Sequence, residues 1–127
     1  MAHILVIDDD RQFRDMLVQM LQGDGHDVSA AADGAEALKL LQGIPPDLIM
    51  TDILMPNMDG VETIMELSRR GGETPIIAMS GGRRSMSVDF NLNSADLLGV
   101  KATLAKPFSR ADLRNAIKKA VPEPIDS

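Results

Sequence analysis

Two kinds of apolar spacing alternate along the chain. "HILVI" (3–7), "LIM" (48–50), "PIIAM" (75–79) and "ATLA" (102–105) are short, nearly unbroken apolar runs, the pattern of strands buried on both faces. "DVSAAA" (27–32) is a weaker run of the same kind. Between the runs the period changes. Phe13, Met16, Leu17, Met20 and Leu21 return at three-to-four spacing, as do Ala35, Leu38 and Leu41, then Val61, Ile64 and Met65, and last Leu113, Ala116, Ile117 and Ala120. Each set describes an apolar stripe on a helix. Asp33 with Glu36, and Ser109 with Asp112, are pairs whose side chains satisfy free N–H groups at a helix start. Gly71 and Gly72 suit a helix end. The stretch from Ser80 to Val100 is the least regular: "SGGRRSMS" reads as a polar loop and "VDFNLNSADLL" as the fourth helix. Strand then helix, five times over, predicts an α/β fold, a five-stranded parallel sheet flanked by five helices with right-handed crossovers.

Length and charge narrow the reading. At 127 residues the chain has the size of one domain, able to bury about two-thirds of its unfolded surface. The apolar runs are far too short to span a bilayer. No basic leader or small-residue cleavage site precedes "HILVI", so export is not expected and a cytoplasmic setting is. With no cysteine, disulfides and thiolate metal sites are excluded. A net charge of -6 repels polyanions, which argues against direct nucleic-acid binding.

The candidate chemistry collects at strand ends. In open parallel sheets the functional crevice lies beyond the carboxyl ends of the strands. Asp8, Asp9 and Asp10 follow the first run, Asp52 the third, Ser80 the fourth, and Lys106 with Pro107 the fifth. Two carboxylates about 5 Å apart repel by roughly 3 kcal/mol at an effective dielectric near 20. Three together raise their pKa values or recruit a cation. Mg2+ suits best, since it takes oxygen ligands and leaves positions for phosphate oxygens. A carboxylate beside such an ion can be a nucleophile toward phosphorus, with Lys106 and the Ser80 hydroxyl neutralising the transferring group.

Each residue alone has a plainer explanation. Asp8–Asp10 suffice to cap a helix, "PNMDG" is ordinary turn chemistry, and Lys106 or Ser80 taken singly are surface residues. His3 and His26 read as strand-end residues, the nine methionines as core filling, and Arg83 and Arg84 as solvated loop charges. "GDGHDV" lacks the context and third glycine of a dinucleotide fingerprint. Only the joint arrival of the strand-end groups at one edge favours a site.

"ILVIDDD", "LIMTDILMPNMDG", "PIIAMSG" and "LAKPF", in this order and at these separations, closely resemble the receiver domain of two-component response regulators. The resemblance runs from His3 to about Val121. It implies a flavodoxin-like (βα)5 fold with strand order 2-1-3-4-5, a receiver over 1–121, and a short tail at 122–127 with no output domain. It implies Asp52 as phosphoacceptor, and Mg2+, with Mn2+ as a substitute, held by Asp8, Asp9, Asp52 and the backbone carbonyl of Leu54. Ser80 becomes the switch hydroxyl, Lys106 the partner of the phosphoryl group, and the Lys106–Pro107 peptide is implied to be cis. The donor is a phosphohistidine on a sensor histidine kinase or histidine phosphotransfer protein, and the output is contact with a downstream protein.

The chain departs from the family pattern in places. Thr103 stands where Tyr or Phe is usual, and 25 residues separate Ser80 from Lys106, a few more than expected. Leu54 and Gly82 offer no protic side chain beside the path of a hydrolytic water, so self-dephosphorylation is expected to be slow. A rival reading takes Asp8-x-Asp10 as the signature of a haloacid-dehalogenase-type phosphatase. It leaves Asp52 without a role and finds Gln12 where Thr or Val is usual. A third, a phosphorylation-independent binding module, conflicts with the complete set of chemical positions.

Overall fold

The computed structural model describes residues 2–43, 45–52, 54–55, 58–59, 66, 69, 74–81 and 100–121. In chain order these form β1 (His3–Ile7), α1 (Arg11–Gly23), β2 (Asp27–Ala31), α2 (Gly34–Leu40), β3 (Leu48–Asp52), β4 (Leu54–Met55), β5 (Met58–Asp59), β6 (Ile76–Gly81), β7 (Val100–Lys106) and α3 (Arg110–Ala120). Five strands make one sheet in the order β2-β1-β3-β6-β7, with every neighbouring pair parallel. With the short β4–β5 hairpin left out of the count, this is the expected order 2-1-3-4-5. That hairpin pairs Leu54 with Asp59 and Met55 with Met58, and was not anticipated.

Burial explains which runs were easy to read. β3 is buried at all five positions, and β1 at all but its first, because layers of apolar side chains cover both faces. The edge strands behave otherwise. β7 alternates, with Ala102 and Leu104 buried and Lys101, Thr103 and Ala105 exposed. β2 is mostly open to solvent, hence its weak apolar signal.

Alternate strand residues feed two separate cores. Ile4, Val6, Leu48, Met50 and Ile77 pack with Leu17 and Leu21 of α1 and Leu113, Ala116 and Ala120 of α3. Leu5, Ile7, Ile49, Ile76 and Ala78 pack with Ala37 near α2. Helices thus lie on both faces. None of the described helices is long and apolar enough to cross a membrane.

Local chemistry sets the helix ends. Asp10 caps α1, its Oδ1 accepting from Phe13 N at 3.1 Å. After α1, Gly25 takes φ +92°, a left-handed turn that costs glycine nothing. Asp33 caps α2 by accepting from Glu36 N at 2.9 Å, while Glu36 Oε1 reaches back to Ala32 N at 2.7 Å. Ser109 and Asp112 form a reciprocal capping box at the start of α3.

Some expectations need correction. Met16, placed on the apolar stripe of α1, is 44% exposed; it sits at the margin of a stripe centred on Leu17 and Leu21. In α2 the buried residues are Gly34 and Ala37, with Leu38 and the C-cap Leu41 half-buried and Ala35 exposed. Small residues let the helix approach the sheet on a face that hydrophobicity alone does not mark. The expected fourth helix, and the stripe Val61, Ile64 and Met65 with the Gly71–Gly72 stop, lie outside the described residues. Glu66 and Arg69 are helical and form an i,i+3 ion pair at 2.5 Å.

Candidate functional site

Strand register brings the candidate residues to one edge. Ile7 pairs with Thr51, so Asp8 follows β1 at the level where Asp52 ends β3. Asp52 pairs with Met79, and Ser80, one residue further, pairs with Ala105. Gly81 then pairs with Lys106. Asp8, Asp52 and Lys106 therefore meet although they stand at the ends of three different strands. Ser80 is brought there by its backbone; its side chain lies outside the described residues. The Leu54 backbone begins β4 two residues past Asp52.

Lys106 joins the acids. Its Nζ donates to Asp8 Oδ2 at 2.6 Å and to Asp52 Oδ2 at 3.0 Å. Asp8 is fully buried and Asp52 is 6% exposed, whereas Asp9 is exposed. Oxygens of Asp8, Asp9 and Asp52 all lie within 4.8 Å of one another. Burial pushes the Asp8 carboxyl above its ordinary pKa, an effect that the Lys106 hydrogen bond and the Asp10 N–H only partly offset. Burial also acts against the Lys106 charge, but its hydrogen bond to Asp8 and the charges of Asp52 and Asp8 outweigh it and raise the ammonium's pKa. The lysine stays protonated among the acids.

The acidic loop is held from several sides. Asp8 N donates to Ala31 O at 3.1 Å, Asp10 N donates to Asp8 Oδ1 at 2.9 Å, and Arg14 Nη1 donates to Asp8 O at 2.7 Å. The Thr51 hydroxyl donates to the Asp52 carbonyl at 3.1 Å. The Lys106–Pro107 peptide is cis. Phe13 lies under the lysine, with Nζ 4.2 Å from its ring centroid, and Phe108 meets Phe13 edge-on at 5.6 Å between centroids. Sequence reading missed Phe13 and Arg14, because the first fits a helix stripe and the second a solvated helix face. Their one signal was position, within a helical turn of the Asp10 cap.

The donor set suits a hard divalent cation. Three carboxylates against one ammonium leave an excess of negative charge, and all the offered atoms are oxygens, the ligands that Mg2+ takes. Asp10 is differently engaged: its side chain caps α1, as the plain reading of the acidic run proposed for that run as a whole. The phosphatase pattern needs Asp10 as its second acid, and here that group is spent on the helix. His3 opens β1 with Nε2 2.9 Å from Ser29 Oγ, and His26 accepts from Ala2 N at 3.2 Å; both serve strand ends.

Comparison with known proteins agrees with this arrangement. The family model of the response regulator receiver domain matches residues 4–118. The response regulator MprA of Mycobacterium sp. (strain KMS) is 36% identical over 112 residues, covering 88% of this chain and 47% of that protein. The regulator of RpoS of Escherichia coli (strain K12) is 36% identical over 104 residues, 82% of this chain and 30% of that protein. The chain thus spans less than half the length of these relatives. Among solved structures, Vibrio cholerae chemotaxis protein CheY4 superposes with a TM-score of 0.84 at 30% identity, covering 94% of this chain and 98% of that one. A CheY-like receiver domain protein from Methanospirillum hungatei JF-1 gives a TM-score of 0.84 at 28% identity, covering 94% and 92%. The match over nearly all of the sheet and helices, with the acids and the lysine where the motifs put them, settles the family: the chain belongs to the response regulator receiver domains.

Proposed function

We propose that this chain is a phosphoacceptor signalling protein whose Asp52 takes a phosphoryl group from a phosphohistidine on a sensor histidine kinase or histidine phosphotransfer protein. The observation that carries the reading is the Lys106 ammonium at 3.0 Å from Asp52 Oδ2, with Asp8 and Asp9 oxygens within 4.8 Å of that carboxylate. In the reaction a carboxylate oxygen of Asp52 attacks phosphorus. The P–O bond forms as the P–N bond breaks, and the imidazole leaves with that electron pair, neutral once protonated. Lys106 meets the oxygens of the transferred group with positive charge, and the Ser80 hydroxyl gives them a hydrogen-bond donor.

Asp8, Asp9, Asp52 and the backbone carbonyl of Leu54 would hold Mg2+, or Mn2+ in its place. When bound, the ion neutralises the phosphoryl oxygens and the surplus charge of the acids. The chain is not a turnover enzyme; it assists its own phosphorylation and slow dephosphorylation. The setting is cytoplasmic, the output is contact with a downstream protein, nucleic acid is not bound directly, and no segment spans a membrane. Thr103 cannot act as an aromatic switch, so the change leaves the site through the residues that follow Ser80 and shifts a two-state binding surface.

Incubation with acetyl phosphate and Mg2+, followed by mass mapping, tests the reading. One phosphoryl group on Asp52 is expected, absent in Asp52→Asn and in chelator. Label on Asp8, turnover of a phosphomonoester, or no label with Mg2+ present would overturn it.

A further inference from the structure

A lysine ammonium carries three N–H donors. Two of those of Lys106 are taken, by Asp8 Oδ2 at 2.6 Å and Asp52 Oδ2 at 3.0 Å. Another side of the ammonium is covered by the ring of Phe13, whose centroid lies 4.2 Å from Nζ. That distance places the charge against the negative face of the ring, within the range of a cation–π interaction. The ring is fixed in turn. Its backbone N–H bonds to Asp10 Oδ1 at 3.1 Å, and the Phe108 ring stands against it at an interplanar angle of 88°, the edge-to-face geometry that aromatic quadrupoles favour.

The two carboxylates compete for the ammonium, and the contact to Asp8 is the shorter. An aliphatic side chain in place of Phe13 would cover the lysine stem but offer no negative face. The ammonium would then be free to shift toward Asp8 or toward solvent. We propose that Phe13 is a positioning residue for Lys106: its ring face, braced by Phe108, keeps the ammonium between Asp8 and Asp52, where the transferring group needs it. This deepens the phosphoacceptor reading and rests on it.

Phe13 is half-buried and also packs against the core, so the test must separate its charge-facing role from its bulk. Ring fluorination does this, because it drains the negative face while nearly preserving shape. The rate constant of Asp52 phosphorylation by acetyl phosphate at saturating Mg2+ is measured for the whole protein with Phe13 replaced by mono-, di- and trifluorophenylalanine, and for Phe13→Leu and Phe13→Tyr. The rate is expected to fall with each added fluorine, to drop about three- to tenfold in Phe13→Leu, and to stay within about twofold in Phe13→Tyr. In the unphosphorylated protein the Lys106 Hε resonances should show an upfield ring-current displacement that Phe13→Leu abolishes. If Phe13→Leu fails to fold, the fluorinated series still decides. A flat series, or Hε resonances at unshifted positions, overturns the proposal alone. A wild-type chain that takes no label on Asp52 overturns both it and the reading beneath it.

Discussion

Asp9 differs from the other two acids in a way that makes it the cleanest probe of the site. Lys106 pairs with Asp8 and Asp52, while Asp9 is exposed yet still has an oxygen within 4.8 Å of both. Among the described residues it has no ion pair, so its charge adds repulsion to the other two acids. Asp9→Asn should raise the melting temperature in metal-free buffer by on the order of 2–5 °C. The wild type should gain stability as Mg2+ is added, by mass action on the folded state, and Asp9→Asn should gain much less. Scanning fluorimetry with and without Mg2+ checks both, and a variant that melts earlier than wild type without metal would refute the repulsion argument. Asp8 and Asp52, and with them Asp9, were legible in the sequence because they stand at the end of runs that burial dictates. A charged group has few reasons to stand directly after "ILVI" or "LIMT" unless the strand delivers it somewhere. Phe13 was not legible, since apolar periodicity already accounts for a phenylalanine at its position. The side chain of Ser80 and the carbonyl of Leu54 keep the roles implied by resemblance alone.

Helix ends were readable for a related reason: a cap is a contact between residues three apart. Asp33 and Ser109 were both found from sequence, and both accept the expected backbone N–H. The clasp between α1 and α3 was not, because its partners are 90 residues apart. Arg114 holds Asp24, at the end of α1, through Nη2 to Oδ1 at 2.8 Å and Nε to Oδ2 at 3.1 Å. These hydrogen bonds hold the Asp24 carboxyl below its ordinary pKa of 3.8. A carboxyl whose pKa is depressed by folding stabilises the fold at pH above the unfolded value, and that contribution disappears as pH falls through the lower folded value. Asp24→Asn should therefore be modestly less stable than wild type at pH 6. The gap should close as pH drops below 3.8. Urea unfolding of both proteins at several pH values measures it; a gap independent of pH down to acid unfolding would show that the pair contributes shape and not charge. α2 was misread at this scale because Gly34 and Ala37, the residues it buries, carry too little hydrophobic signal to outvote Leu38 and Leu41.

At the scale of the whole molecule, the topology was legible because a parallel sheet covered on both faces needs continuous apolar strands, and only the central strands supply them. The same arrangement divides the interior in two. Ile4 of β1 faces the layer of α1 and α3, and Ile76 of β6 faces the layer of α2; both are essentially inaccessible. β3 lies between their strands, which separates them by about 10 Å across the sheet, and they point to opposite faces. Ile4→Val and Ile76→Val should each cost about 0.5–1.5 kcal/mol. The double variant should lose their sum to within about 0.5 kcal/mol, as expected for sites without shared neighbours. Chemical unfolding tests this directly, and strong coupling would mean that the two layers behave as one core. The functional corollary follows from strand length. Ile4 lies four residues before Asp8, about 13 Å along an extended chain, and Ile76 likewise precedes Ser80. Loss of packing at that end of the sheet lowers the barrier to global unfolding without moving Lys106 against Asp52. The double variant should therefore accept a phosphoryl group at a rate within about twofold of wild type while it remains folded, and a rate that fell in step with stability would show that the site depends on the tension of the entire sheet.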